Sequence, residues 1–389
     1  MEYIELRPKN WFYNLSVTGF LEVLADQNSE EIEKLIRDDG TVLINRKIFA
    51  KHRELDIPEA LVRYVNYLVK GENLDEWLGS SRGQKSQKDQ EKKREKYKEK
   101  YKHLQDKFGE FGYKLARALN MLFGSKTPYQ NLVQQSEWSH FFEFVTNLER
   151  ISEKEDIEKC DICGGKWYLN LDKAAKFTRR LFRFASTHSS EFGSSVGDFP
   201  NAFWNNNSSL LVCPLCVYLI IHSHVAWTRL SDSTSIFINA PSFKVMWHLN
   251  KYAKALYGAG KVEGIKELFG MSLIELALKL NLQLGKWTMM NIEVVIKYKD
   301  KKGKVEFFSI PHEITMLLLD KSVASLLFDI GRTEVLSWFL DGEFDKILRD
   351  GERHFREALK SSDAKTLSYS QKLFELYALV NEKRKGGAL

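Results

Sequence analysis

All four cysteines of the chain lie in two identical frames, Cys160-Asp161-Ile162-Cys163 and Cys213-Pro214-Leu215-Cys216, with 49 residues between the two pairs. A gap of two residues lets both sulfurs of a pair turn toward one centre, so two such pairs supply four thiolates in a tetrahedral set. A fold that uses all four sulfurs must bring these distant pairs together. The spacing predicts one metal site whose ligands are Cys160, Cys163, Cys213 and Cys216.

Among biological metals, zinc suits four thiolate ligands well. An iron–sulfur cluster accepts the same ligands and stays open as an alternative. A redox-active CxxC of the thioredoxin type follows a strand in a βαβ unit and needs no second copy. Disulfide bonds are disfavoured because the chain opens Met1-Glu2-Tyr3 without a signal-peptide pattern, so nothing indicates an oxidising compartment. We therefore predict Zn²⁺ as the cofactor.

The predicted zinc is structural, because catalytic zinc keeps one coordination position for water and normally has three protein ligands. The His-x-Glu element of zinc deaminases occurs only far upstream, at His52, and Pro214 falls inside the second cysteine pair instead of before it. His312-Glu313 begins like a zincin motif, but the second histidine is replaced by Met316. Neither enzyme pattern is complete.

His222 and His224 follow the second cysteine pair with a spacing that would suit a further metal. An apolar run, residues 217–221, leads directly into them. This context favours ordinary structural histidines over metal ligands.

The composition indicates a globular protein. The chain has 389 residues, which allows two or three domains, and 43% hydrophobic with 13% aromatic residues supports packed cores. No apolar run reaches the roughly 20 residues that span a bilayer. We expect a cytoplasmic protein with no membrane partner.

The positive charge is distributed unevenly. Residues 82–107 contain eleven Lys or Arg and five Asp or Glu, an excess that alone equals the net charge of +6. The stretch 79–107 predicts a flexible linker followed by a solvated helix. It is either an exposed charged segment or a basic arm that contacts phosphate.

A second basic surface is predicted just after the first cysteine pair. Asp172 can cap a helix whose neighbouring face carries Phe177, Leu181 and Phe184. The cations of this helix are candidates for phosphate contacts; the alternative is a solvated helix face. The candidates are Lys176, Arg179, Arg180 and Arg183.

Alternating residues predict a β-hairpin with strands at 292–299 and 304–310, joined by a turn that contains Gly303. The tip is rich in lysine and can reach a nucleic-acid backbone, although exposed lysines are common at hairpin turns. Its candidate contacts are Lys299, Lys301, Lys302 and Lys304.

An asparagine-rich loop is predicted between the cysteine pairs. Asn205, Asn206 and Asn207 follow two aromatic residues there. Asparagine pairs bidentately with adenine, but it also tolerates tight-turn geometry, and the turn is the favoured interpretation.

The patterns together predict an α+β fold that is mainly helical, with a zinc-knuckle insertion, a β-hairpin region and a C-terminal helical bundle. We expect four regions: an N-terminal α/β region at 1–150, a zinc-binding region at 151–230, an α+β region with the basic hairpin at 231–310, and the bundle at 311–389. No Walker loop, dinucleotide fingerprint, nucleophile elbow or two-metal acidic cluster is found. A noncatalytic binding subunit is therefore expected.

The chain resembles the CRISPR-associated CXXC-CXXC proteins. The resemblance depends on the two cysteine pairs, on Trp11-Phe12-Tyr13-Asn14-Leu15 followed by Gly19-Phe20-Leu21, and on the helical C-terminus. Members of this family are large subunits of type I Cascade-like surveillance complexes, which are ribonucleoproteins of antiviral defence. The resemblance implies that the four cysteines are the family's metal-binding cysteines.

The resemblance also implies a function and partners. The large subunit binds the handle of the CRISPR guide RNA and the target double-stranded DNA, and it helps to read the motif beside the target. It assembles with other Cascade-like subunits and helps to recruit a separate helicase-nuclease, while base pairing with the guide reads the remaining sequence. Two alternatives stay open: a stand-alone zinc-stabilised nucleic-acid-binding protein, and an enzyme whose site is not recognisable from sequence.

Overall fold

The computed structural model describes residues 3–26, 29–55, 57–70, 99, 102–123, 160–164, 183–185, 209–211, 213–230, 234–258, 264–279, 291–298 and 305–385. The fold is α+β and mainly helical, as the sequence predicts. It divides into two compact units. The first unit comprises Met1–Arg37, Val42–Ala226 and Lys301–Lys304, and the second comprises Asp38–Thr41, Trp227–Asp300 and Val305–Leu389.

In the first unit, short strands alternate with helices. Strand β1 (Tyr3–Leu6) pairs antiparallel with β2 (Val42–Asn45), and α1 (Trp11–Ala25) and α2 (Ser29–Leu35) lie between them in the chain. A 3₁₀ turn (Arg46–Phe49), α3 (Glu59–Lys70) and α4 (Lys102–Phe123) follow. The remaining described elements are β3 (Arg183–Ala185), β4 (Ser209–Leu211), α5 (Pro214–Ile220) and α6 (Ser223–Ala226).

Helix α1 is buried on nearly all sides, so its polar residues need internal partners. Asn10 caps the helix by accepting a hydrogen bond from the Tyr13 N–H at 2.9 Å. The Asn14 amide accepts from the Lys9 N–H at 2.7 Å and donates to the Lys9 carbonyl at 3.0 Å. Ser16 donates to a carbonyl one turn earlier in the same helix. These bonds allow a helix with buried polar groups to lie in a core.

The prediction of a helix that begins near Asp172 is wrong at the C-terminal end of that helix. The sequence places Arg183 and Phe184 on a helix that begins near Asp172, but both lie in β3, where Arg183 is opposite Leu211 and Phe184 is opposite Leu210. Pairing with a strand more than 20 residues away decides the conformation of so short a segment, and helical periodicity carries no information about that partner.

The second unit is built around a four-stranded antiparallel sheet of β5 (Thr228–Arg229), β6 (Thr234–Asn239), β7 (Glu293–Tyr298) and β8 (Val305–Phe308), in that order. The β7–β8 pair is the predicted hairpin, with Lys297 opposite Val305. Helices α7 (Phe243–Gly258) and α8 (Ile265–Lys279) lie between β6 and β7 in the chain.

A buried side chain fastens α7 to the sheet. The Asn250 amide accepts from the Ile238 N–H at 2.9 Å and donates to the Ile238 carbonyl at 2.8 Å. It also donates to the Met246 carbonyl at 2.8 Å. Among the described residues, β5 pairs with β6 at Ser235 and Ile236 and does not extend to Ile238, so Asn250 takes the place of a strand partner there.

The chain is helical after Pro311, as predicted. The helices are α9 (His312–Leu319), α10 (Lys321–Ile330), α11 (Thr333–Leu340), α12 (Phe344–Ser361) and α13 (Ala364–Lys385). Helices α12 and α13 approach closely at Gly351, where an added Cβ would lie 3.1 Å from the Phe374 ring, and Ser370 donates to the Gly351 carbonyl at 2.9 Å. Within the described residues, no helix is long and apolar enough to cross a membrane.

Candidate metal centre

The four cysteines converge on one point in the first unit. Their Sγ atoms all lie within 4.8 Å of one another, and the Cys163 and Cys213 sulfurs are 3.7 Å apart. Three of the residues are buried and Cys163 is half-buried. Tetrahedral zinc, with Zn–S bonds of about 2.3 Å, would place its sulfurs about 3.8 Å apart. The group is therefore a possible metal-binding site with the dimensions of a single-ion centre.

The first cysteine pair forms a tight turn. The Gly164 N–H donates to the Cys160 carbonyl at 2.8 Å, and Gly164 adopts a left-handed backbone with φ of +67°. A side chain at position 164 would strain this turn, so glycine after the second cysteine allows both sulfurs to point to one side.

The second cysteine pair begins helix α5. Cys213 is the N-cap residue, and its sulfur accepts a hydrogen bond from the Cys216 N–H at 3.4 Å. Pro214 occupies the first turn, where a missing N–H costs the helix nothing. The Cys213 N–H in turn donates to the Cys160 sulfur at 3.2 Å. These N–H groups favour the thiolate form of the sulfurs that accept from them.

The protein environment alone opposes four thiolates at this place. Burial raises the pKa of the Cys213 and Cys216 thiols well above the usual value, and the neighbouring cysteines raise the pKa of Cys216 further. A cation reverses this balance, since a coordinated thiol is deprotonated by the metal itself. The chemistry of the donor set thus fits a cation among the sulfurs.

Helix α1 lies beside the cysteines. The Asn10 amide, which caps α1, is 3.5 Å from the Ile162 carbonyl in the first pair. The pKa of the buried Tyr13 is raised well above its usual value, first by burial and then by the negative charge of the four cysteines around it. The start of α1 is therefore part of the wall of the site.

A close backbone contact joins α1 to the region after the second cysteine pair. An added Cβ on Gly19 would lie 2.1 Å from the His222 carbonyl oxygen and 3.4 Å from the Ala226 nitrogen. Only glycine permits this approach of α1 to the α5–α6 turn. The Tyr64 hydroxyl in α3 donates to the Ile221 carbonyl at 3.0 Å, so α3 holds the same turn.

The structure favours the structural interpretation of His222. Its ring is fully buried among the rings of Phe20, Tyr64 and Tyr218, at centroid distances of 4.5 to 5.1 Å. Its Nδ1 atom bonds with the Tyr218 carbonyl at 2.9 Å. Burial lowers the pKa of His222 to about 3, so the ring is neutral. In the part of the chain that the structure describes, the four cysteines form the one group of three or more potential metal ligands.

Most of the predicted nucleic-acid contacts lie outside the described residues. Arg183 is within them, in strand β3. The predicted contact residues that lie outside the described residues are Lys176, Arg179, Arg180, Asn205, Asn206, Asn207, Lys299, Lys301, Lys302 and Lys304.

Sequence reasoning missed Asn10 and Tyr13 as parts of the site. Both precede the first cysteine by about 150 residues, and no spacing rule connects such distant positions. Gly164, in contrast, carries a local signal, because glycine directly after a CxxC pair is typical of a turn that needs a positive φ.

Comparison with known proteins gives no relative: no family model matches the chain, and neither the curated proteins nor the solved structures include a significant match.

Proposed function

We propose that Cys160, Cys163, Cys213 and Cys216 hold a structural Zn²⁺ ion, and that the chain is a noncatalytic, nucleic-acid-binding large subunit of a type I CRISPR surveillance complex. The observation that carries the proposal is the convergence of the four sulfurs within 4.8 Å. Four protein thiolates leave zinc no position for a reacting water, which supports a structural role over a catalytic one.

The sulfur distances support a single ion over an iron–sulfur cluster. In a cluster, several iron atoms and bridging sulfides stand between the cysteine ligands, so the Sγ atoms must lie farther apart than around one ion. The 3.7 Å separation of the Cys163 and Cys213 sulfurs matches the edge of a tetrahedron around one zinc.

The CRISPR assignment is supported by how the marks of the resemblance relate to one another. The cysteine pairs and the aromatic–asparagine segment at residues 11–15 are far apart in sequence, yet Tyr13 lies beside the four sulfurs. Gly19, from the following Gly-Phe-Leu segment, contacts the turn after the second pair. Sequence features that lie together around one site support a family resemblance more strongly than the same features taken one by one.

In this function the chain binds the guide RNA handle and target DNA, helps to read the target-adjacent motif and recruits the helicase-nuclease in trans. Base pairing between guide and target supplies the remaining specificity. The zinc joins the two cysteine pairs, against which the start of α1 lies, so the metal has a structural role and takes no part in a reaction.

Two measurements on one preparation test the proposal. The tagged protein is isolated from its source organism, and metal content is determined by mass spectrometry together with the visible absorption spectrum. Co-purified RNA and proteins are then identified. We expect about one zinc per chain, no visible iron–sulfur absorption, repeat-derived guide RNA and the other complex subunits.

Each contrary result would contradict one part of the proposed function. Iron together with acid-labile sulfide would replace zinc by a cluster. A zinc-containing preparation without guide RNA and subunits, but with affinity for added nucleic acid, would favour the stand-alone binder. Cleavage of labelled nucleic acid that persists through repurification would contradict the noncatalytic role.

A further inference from the structure

Helix α12 carries a straight line of cations on its exposed face. Arg349, Arg353, Arg356 and Lys360 occupy positions i, i+4, i+7 and i+11, so they share one face of the helix. All four are exposed. At a rise of about 1.5 Å per residue the line is about 16 Å long. These four residues are called the α12 stripe below.

The cations of the α12 stripe are accessible to a ligand. Arg353 lies 2.5 Å from the Asp350 carboxylate and Arg356 lies 3.4 Å from that of Glu352, but their side chains stay 63% and 73% exposed. The Arg356–Glu352 pair is exposed on both sides, so it is weak and easily exchanged for a phosphate. The Asp350 carboxylate is buried, so Arg353 keeps this partner while its own side chain stays largely exposed. Among the described residues, Arg349 and Lys360 have no carboxylate partner.

Large apolar side chains lie beside the α12 stripe. Phe355 is 39% exposed and Leu359 is 67% exposed. Leu359 is three residues after Arg356 and therefore adjoins the stripe, and Phe355 adjoins Leu359 on the far side of Glu352. The Phe355 ring is held against Phe374 of α13 at a centroid distance of 6.2 Å. Exposed rings near a line of cations are the arrangement on which unpaired bases stack while their phosphates are bound.

The helix that presents the α12 stripe is firmly held. The buried Asp350 carboxylate accepts from the Tyr369 hydroxyl of α13 at 3.3 Å, and the Arg332 guanidinium covers the Tyr369 ring at 4.0 Å. Together with the Ser370–Gly351 bond, these contacts fix α12 against α13. Binding groups on a rigid element lose little conformational freedom when they bind.

The width of the α12 stripe indicates the form of the ligand. Glu352 and Glu357 are exposed on its two sides, so the cations form a narrow line between acidic borders. A narrow line fits one phosphodiester strand, whereas a duplex backbone with its second strand would also meet the acids. The neighbouring Phe355 and Leu359 offer nothing to bases that remain paired.

We propose that the α12 stripe, with Phe355 and Leu359 beside it, binds a single strand of nucleic acid: the cations contact successive phosphates and Phe355 stacks on a base. This inference rests on the proposed nucleic-acid-binding function and names the form of nucleic acid and the residues that contact it.

Fluorescence anisotropy with labelled oligothymidylate, on the full-length protein over a range of salt concentrations, tests the phosphate contacts. In the variant R349A/R356A/K360A we expect the slope of log affinity against log salt to become shallower by about 2, since each lost single-strand contact removes about 0.7. Arg353 is retained because it pairs with buried Asp350. The control K321A/K365A/K385A removes equal charge from other helices of the second unit and should leave the slope unchanged.

A second variant tests the base contact. Phe355→Leu keeps an apolar contact with Phe374 but removes the stacking ring, and we expect roughly tenfold weaker binding of oligothymidylate with an unchanged salt slope. Binding of duplex DNA of the same length should not respond to this substitution. Thermal unfolding of each variant verifies that the fold is retained.

The outcomes separate the two proposals. If the wild-type protein binds oligothymidylate but the stripe variant and its control have equal slopes, the α12 stripe is not the site, while the proposed function stands. An equal change of the salt slope for duplex DNA in the stripe variant would likewise overturn the inference. If the isolated chain binds no strand although guide RNA co-purifies with it, the inference alone fails. If the chain binds no single strand and no guide RNA co-purifies with it, both the inference and the proposed function fail.

Discussion

The two units differ in the sequence separation of the contacts that stabilise them. In the first unit the decisive contacts join residues far apart in the chain: Asn10 with Ile162, Gly19 with His222, and Tyr64 with Ile221. In the second unit, the strands β5 to β8 lie side by side in chain order, and the longest of these strand pairings, β6 with β7, joins residues fewer than 70 positions apart. Closing large loops costs conformational entropy before any contact forms. The first unit therefore gains more from a metal staple than the second.

This comparison predicts that loss of metal acts on one unit alone. We expect Cys160→Ser with Cys163→Ser to remove the proposed zinc and to destabilise the first unit by about 10 kcal/mol, the scale of structural zinc in small domains. Hydrogen exchange should then become fast in α1, α3 and α5, while β6 and β7 stay protected. A metal-free double variant with wild-type protection in α1 would break the comparison.

The close contact at Gly19 gives the next largest effect. Gly19→Ala places a methyl group 2.1 Å from the His222 carbonyl, and backbone on both sides leaves little room for relief, so we expect a loss of more than about 3 kcal/mol. Gly258→Ala is the matched control, because its Cβ would meet nothing within 4 Å, and its effect should stay within about 1 kcal/mol. Denaturant midpoints measure both. Equal midpoints would mean that α1 and the α5–α6 turn do not approach as closely as described.

Asn250 provides the corresponding test in the second unit. Asn250→Ala removes three hydrogen bonds and leaves both backbone groups of Ile238 unsatisfied, so we expect a loss of about 2 to 3 kcal/mol. Faster hydrogen exchange should appear in β6 and α7 and not in α1. The exposed neighbour Lys251 serves as the control when changed to alanine. Faster exchange in α1 would show that the two units are energetically coupled.

The smallest expected effect is on the pH dependence of the stability of the first unit. The pKa of His222 is about 3 in the folded protein and 6.5 ordinarily, so between these values the unfolded chain binds a proton that the folded chain does not. Stability of the first unit should therefore fall as the pH falls below about 6.5, by about 2 kcal/mol at about pH 5. His222→Leu should give a shallower dependence of the urea midpoint on pH. Acid loss of the metal affects both proteins, so parallel profiles would contradict a role for His222.

Local patterns were enough to predict part of the fold. The two-residue gaps within the cysteine pairs specify how sulfurs can converge, and the structure brings all four together. Alternation before and after residues 299–304 specifies the hairpin, and β7 pairs with β8 in the expected region. The helical pattern expected over 311–389 likewise corresponds to helices that the structure contains. In each case the information lies within a few residues.

What the sequence did not reveal depends on distant partners. Arg183 and Phe184 satisfy a helical pattern, yet their pairing with Leu211 and Leu210 makes them a strand. Asn10 and Tyr13 look like the start of any buried helix until the cysteines are placed beside them. The aromatic surroundings of His222 come from α1, α3 and α5 together. Such arrangements are properties of packing, and a single sequence does not encode them in a readable local form.

Because the two cysteine pairs converge, the length of the segment between them can change at little cost in stability. Because Cys163 and Cys213 sulfurs are 3.7 Å apart, the 49 residues between them leave from and return to the same point. The entropy of closing such a loop grows only slowly with length, by about 0.6 kcal/mol for each doubling. A moderate change in the length of this connection should thus have little effect on the packing of α1 against the two cysteine pairs.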